Sequence, residues 1–336
     1  MRVLVTGGAG YIGSVITEEL LVVGHEPVIF DTLLNGHLKA IPDGLPVVQG
    51  DVRDTALLKQ TLRAERIEAV IHLAALIEAG LSVQYPERFF SANVGGTASV
   101  CEAMCSAGVR RLVFSSTGSL YGNSGTPPFA EDAPAHPENP YAASKLMCEE
   151  MLGIVAPARE LVCTALRYFN AAGATAQNGE SHQPETHLIP LVLHAAERKA
   201  PFTLFGTDYP TSDGTPIRDY VHVADLAQAH LLALSREVVG LRVYNVGTGT
   251  GASVREVVTA AQEVTGIDFP VREEPRRPGD QVASVASPQR IKAELGWQPH
   301  YTSVRDIVAS AWAWRRDHPY GYGSERKLGA SGNSEV

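Results

Sequence analysis

The sequence predicts an α/β protein: a doubly wound parallel sheet of the Rossmann type, followed in the chain by a smaller C-terminal α/β region. Three observations predict it. Continuous short apolar runs such as Arg2-Val3-Leu4-Val5 and Ala69-Val70-Ile71-His72-Leu73 read as buried strands. Stretches of helical character alternate with them, as a parallel sheet requires. The first run passes directly into Thr6-Gly7-Gly8-Ala9-Gly10-Tyr11-Ile12-Gly13, a glycine turn that opens a helix.

The turn has the spacing G-x-x-G-x-x-G, at Gly7, Gly10 and Gly13. A tight turn there brings backbone close to a pyrophosphate and aims a helix N-terminus, through Tyr11 and Ile12, at its charge. Gly24 ends that helix, and Pro27-Val28-Ile29-Phe30 forms a second strand closed by Asp31. An acid about 20 residues past the glycines accepts from the adenosine ribose hydroxyls and repels a 2′-phosphate, which favours NAD over NADP. Asn35 is placed in the same cofactor site. A third strand, residues 47–52, ends near Asp51 and Val52; Asp51 is a candidate for the adenine edge or, equally, a cap for the helix from Thr55. The fourth strand exits through Leu73, Ala74 and Ala75, small enough as a group for a flat cofactor to approach, and His72 within it reads as a satisfied core histidine. A helix over residues 86–108 carries Asn93 ahead of Gly95-Gly96.

The fifth run, Arg111-Leu112-Val113-Phe114, delivers Ser115, Ser116 and Thr117 to the carboxyl end of a strand, where open α/β sheets bind ligands. Pro140 suits a helix start, and Tyr141-Ala-Ala-Ser-Lys145 then sets a phenol and an ammonium on one helical face. A free phenol titrates near pH 10 and is a poor base at neutrality unless a cation such as Lys145 favours the phenolate. A phenolate beside the Thr117 hydroxyl could take the proton of a substrate alcohol as hydride leaves the same carbon. Leu161 to Arg167 make the sixth strand, with Tyr168 at its end.

This division gives a nucleotide-binding domain over residues 1–170, a substrate region over 171–320 rich in Gly, Pro, Asn and His loops, and a Gly- and Ser-rich flexible tail over 321–336. Strand-like stretches at 220–223 and 243–246 suggest that the chain weaves back to the first domain.

The chain has 336 residues and a formal net charge of −9, from 37 acidic and 28 basic side chains, with no block of one sign. That balance disfavours nucleic acid or a membrane surface as partner. Cys101, Cys105, Cys148 and Cys163 form no CxxC pair and have no histidine at zinc-like spacing, so reduced thiols, a cytoplasmic location and no metal are expected. No apolar run has the length of a membrane-spanning helix.

Taken together, TGGAGYIG, SSTGSLYG, NPYAASK, RYFNAAGA, THLIP, DYPTSDGTPIRDYVHVADLA and RRPGD resemble the extended short-chain dehydrogenase/reductases, and within them the UDP-galactose (UDP-glucose) 4-epimerases. The resemblance implies tightly bound NAD, a UDP-sugar substrate and a homodimer. It implies Tyr141 as base, Lys145 as the residue that tunes it and holds the nicotinamide ribose, and Thr117 on the sugar O4. Ser115, Tyr168 and Asn93 join the cofactor contacts. For the substrate it implies Asn170, His187, Leu188, Leu204, Phe205, Tyr220 and Ser284, with Arg218 and Arg277 on the diphosphate and Asp280 on the uridine ribose. The charge logic agrees, since guanidinium matches phosphate bidentately.

The chain departs from that family at Ile77 and Leu81, where other members carry a basic residue and a carboxylate, at His187 in place of Asn, and at Ser284 in place of an aromatic. Nucleotide-sugar dehydratases place an acid soon after the strand serines, where this chain has Gly118 and Ser119. A non-catalytic NAD-binding regulator would keep the glycines without needing Tyr141, Lys145 and Thr117 together. A uronic-acid or pentose nucleotide remains an alternative substrate.

Overall fold

The computed structural model describes residues 1–123, 125–277 and 280–323. Its first half alternates strand and helix as expected: β1 (Arg2–Thr6), α1 (Tyr11–Val22), β2 (Glu26–Asp31), β3 (Val47–Gln49), α2 (Thr55–Ala64), β4 (Ala69–His72), α3 (Ala79–Gln84), α4 (Pro86–Phe89), α5 (Gly96–Ala107), β5 (Arg111–Thr117), α6 (Pro140–Ala158) and β6 (Val162–Tyr168). The helix expected over 86–108 is continuous, but a π-helical turn at Phe90–Gly95 interrupts its α geometry, and Asn93 lies inside that turn. Such turns gather at functional sites.

After β6 come β7 (Asn170–Ala172), α7 (Leu188–Arg198), β8 (Phe202–Phe205), β9 (Ile217–Arg218), β10 (Tyr220–His222), α8 (Val223–Leu234) and β11 (Gly240–Val246). The chain closes with β12 (Ala252–Ser253), α9 (Val254–Thr265), β13 (Val271–Glu274), β14 (Ala283–Ser284), α10 (Gln289–Leu295) and α11 (Val304–Asp317). The main sheet is parallel throughout in the order β11-β6-β5-β4-β1-β2-β3. Strand order reverses between β1 and β4, so a crevice opens beyond their carboxyl ends. β11 fulfils the expectation that the chain weaves back, and α8 packs on α1. The remaining strands form three small sheets, β10-β7, β12-β9-β14 and β13-β8.

The strands of the main sheet are buried on both faces because their runs are apolar on both. Val3, Val5, Ile29, Ile71 and Val113 pack with α1 and α8 on one side. Leu4, Val28, Val70, Leu112 and Phe114 pack with α2, α5 and α6 on the other. A third core under α7, α9 and α11 belongs to the substrate region. Tyr322, expected within the tail, is buried and its hydroxyl donates to Asn178 Oδ1 at 2.7 Å. Residues 324–336 lie outside the described residues, as do Pro278 and Gly279 of the RRPGD motif.

One polar network crosses the core. Glu149 on α6 binds the Arg167 guanidinium on β6 at 3.0 and 2.6 Å and accepts from the Ser116 hydroxyl on β5. Arg167 also donates to the Tyr121 hydroxyl at 2.9 Å, and Tyr121 donates to Asn245 on β11 at 2.7 Å. The Glu149 and Arg167 side chains are 4% and 9% exposed, so removing one partner strands a buried charge. Glu149→Ala should cost about 3–5 kcal/mol of stability in urea unfolding; a loss below ~1 kcal/mol would mean that water or another group neutralises Arg167.

Candidate active site

At the first turn, Gly7 has φ +73°, and a Cβ there would lie 2.8 Å from the Ala74 nitrogen. A Cβ on Gly13 would stand 2.2 Å from the Gly7 carbonyl oxygen. Both positions therefore need glycine for the turn to fold against β4. No side chain caps α1 at Gly10, which leaves its first-turn N–H groups available to an anion. Asp31, at the end of β2, is buried, and its carboxylate accepts from Ala9 N at 3.0 Å and Leu33 N at 2.8 Å. Burial raises its pKa and these backbone donors oppose the rise. The carboxyl edge of β1 and β2 thus offers a helix N-terminus and an acid in the order a dinucleotide needs. Asn35 is exposed on the following loop and Val52 is buried beside α5. Asp51 does not cap α2; Asp54 does, accepting from Leu57 N at 2.9 Å. Asp51 instead pairs with Arg53 at 2.6 Å. His72 is a satisfied core residue, its two ring nitrogens 2.7 and 3.2 Å from the Thr6 and Thr97 hydroxyls.

The catalytic candidates meet where β5 ends and α6 begins. β5 extends to Thr117, so Ser115, Ser116 and Thr117 are the last residues of the strand itself. Asn139 caps α6 by accepting from Ala142 N at 2.9 Å, and Pro140 occupies the first turn. Tyr141 then faces the Thr117 hydroxyl, close enough for it to oppose the rise in the phenol's pKa. Lys145 Nζ, almost fully buried, donates to the Ser115 carbonyl at 2.8 Å and lies 4.9 Å from the centre of the Phe114 ring. Burial pushes the Tyr141 phenol up to about 12, with the Thr117 hydroxyl pulling the other way. Burial also pulls Lys145 down to about 8. Lys145, expected as the cation that tunes Tyr141 toward phenolate, donates to the Ser115 carbonyl, and desolvation is the largest influence on both groups. Tyr168 is buried at the end of β6, beside Ser115.

Asn93 was expected at the cofactor, and its amide is engaged within the protein. It accepts from Leu76 N at 2.8 Å and donates to the Leu76 carbonyl at 3.1 Å and to Ser144 Oγ at 2.9 Å. It clamps the exit of β4, with Leu73, Ala74 and Ala75, to the helix that carries Tyr141 and Lys145.

The substrate-region candidates reach the same edge by backbone pairing. Tyr220 pairs with Asn170 in the β10-β7 sheet, and only Phe169 separates β7 from β6. Ser284 on β14 pairs with Arg218 on β9. Arg218 is held by the carbonyls of Ile217 and Gln281, both at 2.9 Å, and lies 3.9 Å from Asp280. Arg277 Nε donates to Asp280 at 3.0 Å, and its guanidinium lies 5.1 Å from the centre of the Phe205 ring. Two cations, one acid and an aromatic thus converge. Leu204 is fully buried in the third core, so its side chain serves packing. Leu188 opens α7, and His187 just before it lies 2.6 Å from Glu180 and 3.3 Å from Glu185. Burial opposes charge on His187, yet these carboxylates raise its pKa to about 10. Sequence reading passed over Asp219, which is fully buried and accepts from Thr248 N, Gly249 N and Ala286 N at 2.8–3.1 Å. Its place between Arg218 and Tyr220 was the available signal.

A parallel sheet with this strand order, a glycine turn at its first helix and a Tyr/Lys/Thr cluster at its carboxyl edge define a dinucleotide-dependent enzyme of the short-chain dehydrogenase/reductase class. Residues 3–247 match the model of the NAD dependent epimerase/dehydratase family, and the chain belongs to that family. It is 44% identical to the UDP-glucose 4-epimerase of Lactobacillus helveticus, over 96% of this chain and 99% of that one. The structure is similar to that of UDP-glucose 4-epimerase from Stenotrophomonas maltophila with bound NAD and formylated UDP-arabinopyranose, at TM-score 0.91 and 39% identity, covering 95% and 99% of the two chains. It is similar also to the UDP-Glc/GlcNAc 4-epimerase from Campylobacter jejuni, at TM-score 0.82 and 37% identity, covering 94% and 99%.

The Lys145 shift has a sign that can be measured. The ammonium titrates at about 8 in the fold against an ordinary 10.5, so between those values the unfolded chain binds more protons and stability rises with pH. Below pH 8 the full burial penalty applies. Lys145→Met should flatten this rise in denaturant-unfolding free energies taken across pH 8–10.5; parallel curves for variant and wild type would refute the buried-ammonium assignment.

Proposed function

We propose that this protein catalyses NAD-dependent C4 epimerisation of UDP-hexoses, interconverting UDP-glucose and UDP-galactose. The observation that carries the reading is the meeting of Tyr141 and Thr117 at the sheet's carboxyl edge, one helical turn from the buried Lys145. Tyr141 accepts the O4 proton, Thr117 orients that oxygen, and Lys145 holds a ribose hydroxyl while fixing the Ser115 carbonyl. The Gly7–Gly13 turn and Asp31 would hold NAD, which would supply the acceptor and then the donor of the C4 hydride. Arg218 and Arg277 hold the diphosphate as the flat 4-keto sugar turns its other face, and Tyr141 returns the proton.

A dehydratase or decarboxylase reading is disfavoured by the space around the strand end. A Cβ on Gly118 would lie 2.8 Å from the Phe169 ring, so the acid those reactions need has no room there. The substrate range in this proposal includes UDP-GlcNAc and UDP-GalNAc. Ser284 supports it: a small side chain stands where an aromatic would crowd a 2-acetamido group.

Activity on all four sugars tests both parts. Tyr141→Phe should lower kcat by about 10²- to 10⁴-fold while UDP-sugar binding persists. Near-native turnover would move the base elsewhere. Ser284→Tyr should remove activity on the acetamido sugars and spare UDP-glucose and UDP-galactose, and equal losses on both classes would sink the specificity assignment.

The same reading places the protein in the cytoplasm as a homodimer. No helix among the described residues is long and apolar enough to cross a membrane. Val83 on α3 and Met147 and Ile154 on α6 are exposed apolar residues on two helices that pack together, a surface suited to a second copy. Light scattering should give twice the chain mass, reduced toward the monomer by Ile154→Glu; a monomeric wild type would refute the dimer.

A further inference from the structure

Between β7 and α7 the chain passes over the first glycine turn. The Tyr11 hydroxyl donates to the Gly173 carbonyl at 2.6 Å, His37 Nε2 lies 3.0 Å from the Ser181 carbonyl, and Asn178 donates to the Ala40 carbonyl at 3.0 Å. At the far end of this segment Glu180, His182, Glu185 and His187 turn toward one another. Each presents one donor atom, and the four atoms all lie within 4.8 Å of one another. Glu180 is 3.1 Å from His182 Nδ1 and 2.6 Å from His187 Nδ1, and Glu185 is 3.3 Å from His187 Nδ1. Both carboxylate side chains are only 7% exposed. Two ionised carboxylates so far from water need a positive partner, which either a metal ion or a proton held on the imidazoles supplies.

We propose that Glu180, His182, Glu185 and His187 form a structural site for a divalent transition-metal ion, zinc by the chemistry of its donors. Two imidazole nitrogens and two carboxylate oxygens are ligands zinc takes at about 2.0–2.2 Å. A tetrahedral shell of that radius sets neighbouring donors on the order of 3.4 Å apart; two pairs here stand at 3.1 and 3.3 Å, a third is closer at 2.6 Å, and all four atoms lie within 4.8 Å. Calcium and magnesium prefer an all-oxygen shell, and the absence of thiolate disfavours copper(I). With both imidazoles neutral, the two carboxylates balance the ion's charge. The Thr186 and His187 N–H groups donate to Glu185 Oε1 at 2.8 and 2.9 Å, which orients that carboxylate. The expectation of no metal weighed the cysteines alone, whereas this set is written in the sequence as Glu-x-His-x-x-Glu-x-His, ending at the start of α7. Such an ion fastens the 173–187 segment where it crosses the cofactor turn.

The competing occupant of the cluster is a proton shared by the imidazoles and carboxylates, and metal content separates the two independently of epimerase activity. Untagged full-length protein is stripped with chelator, loaded with zinc, desalted and measured by mass spectrometry of the metal, with magnesium as control. The wild type should retain one zinc per chain and gain thermal stability from it. His182→Ala should bind zinc more weakly by over about 100-fold, beyond the range of outer-shell partners, and lose the thermal gain. Should His182→Ala fail to fold, Glu185→Gln takes its place under the same criterion. Absence of retained zinc in the wild type, or retention undiminished in a folded variant, overturns the site and leaves the proton as occupant.

Discussion

Everything at the active edge depends on how α6 is fixed against the end of β5. The central tie is the Lys145 ammonium on the Ser115 carbonyl, a buried charge whose desolvation cost is offset in part by that carbonyl, the Phe114 ring face and the neighbouring Glu149. Two further ties prevent α6 from sliding or turning. Asn93 holds Ser144 from one side, and Glu149 holds Arg167 and Ser116 from the other. Tyr141 and Thr117 come within hydrogen-bond reach as a consequence, and neither has to be held by a loop. A site built on a strand end and a helix start keeps its geometry more closely than one built on loops alone.

The substrate region is attached to the same edge by main-chain pairing. β7 follows β6 after one residue, β10 pairs with β7, and β9 pairs with β14. Asp219, between β9 and β10, collects backbone donors from residues 248, 249 and 286. One buried carboxylate therefore fixes two loops beside the strand that bears Arg218. The result is a firmly held Arg218, which suits the proposed role of anchoring a diphosphate while the sugar turns about it.

The nucleotide-binding half was legible because its strands are uninterrupted apolar runs and its turn needs glycine for steric reasons, both local properties. The arrangement of the later half was not, because its strands are two to four residues long outside β11 and owe their pairing to partners far along the chain. Asp51 and Asp54 both precede α2, and only the backbone angle at Asp54 decides which one caps it. Tyr322 looked like part of a polar tail because its partners Asn178 and His37 are remote in sequence. The Glu149–Arg167 pair was hidden for the same reason: neither residue has a periodic signature, and a buried charge is recognisable only with its partner in view.

The electrostatics of Tyr141 follow from this architecture. A phenol pushed up to about 12 is protonated at neutral pH and cannot by itself take a proton from a sugar hydroxyl. Lys145, drawn to the Ser115 carbonyl, does not supply the missing stabilisation alone. In the proposed mechanism a bound nicotinamide would supply the positive charge that favours the phenolate, so the base would be strong in the assembled complex and weak without it. Such dependence suits a reaction that returns its hydride to the same substrate. A base active in the unliganded protein would have no acceptor to work with, whereas one completed by the dinucleotide acts only where proton and hydride can move together.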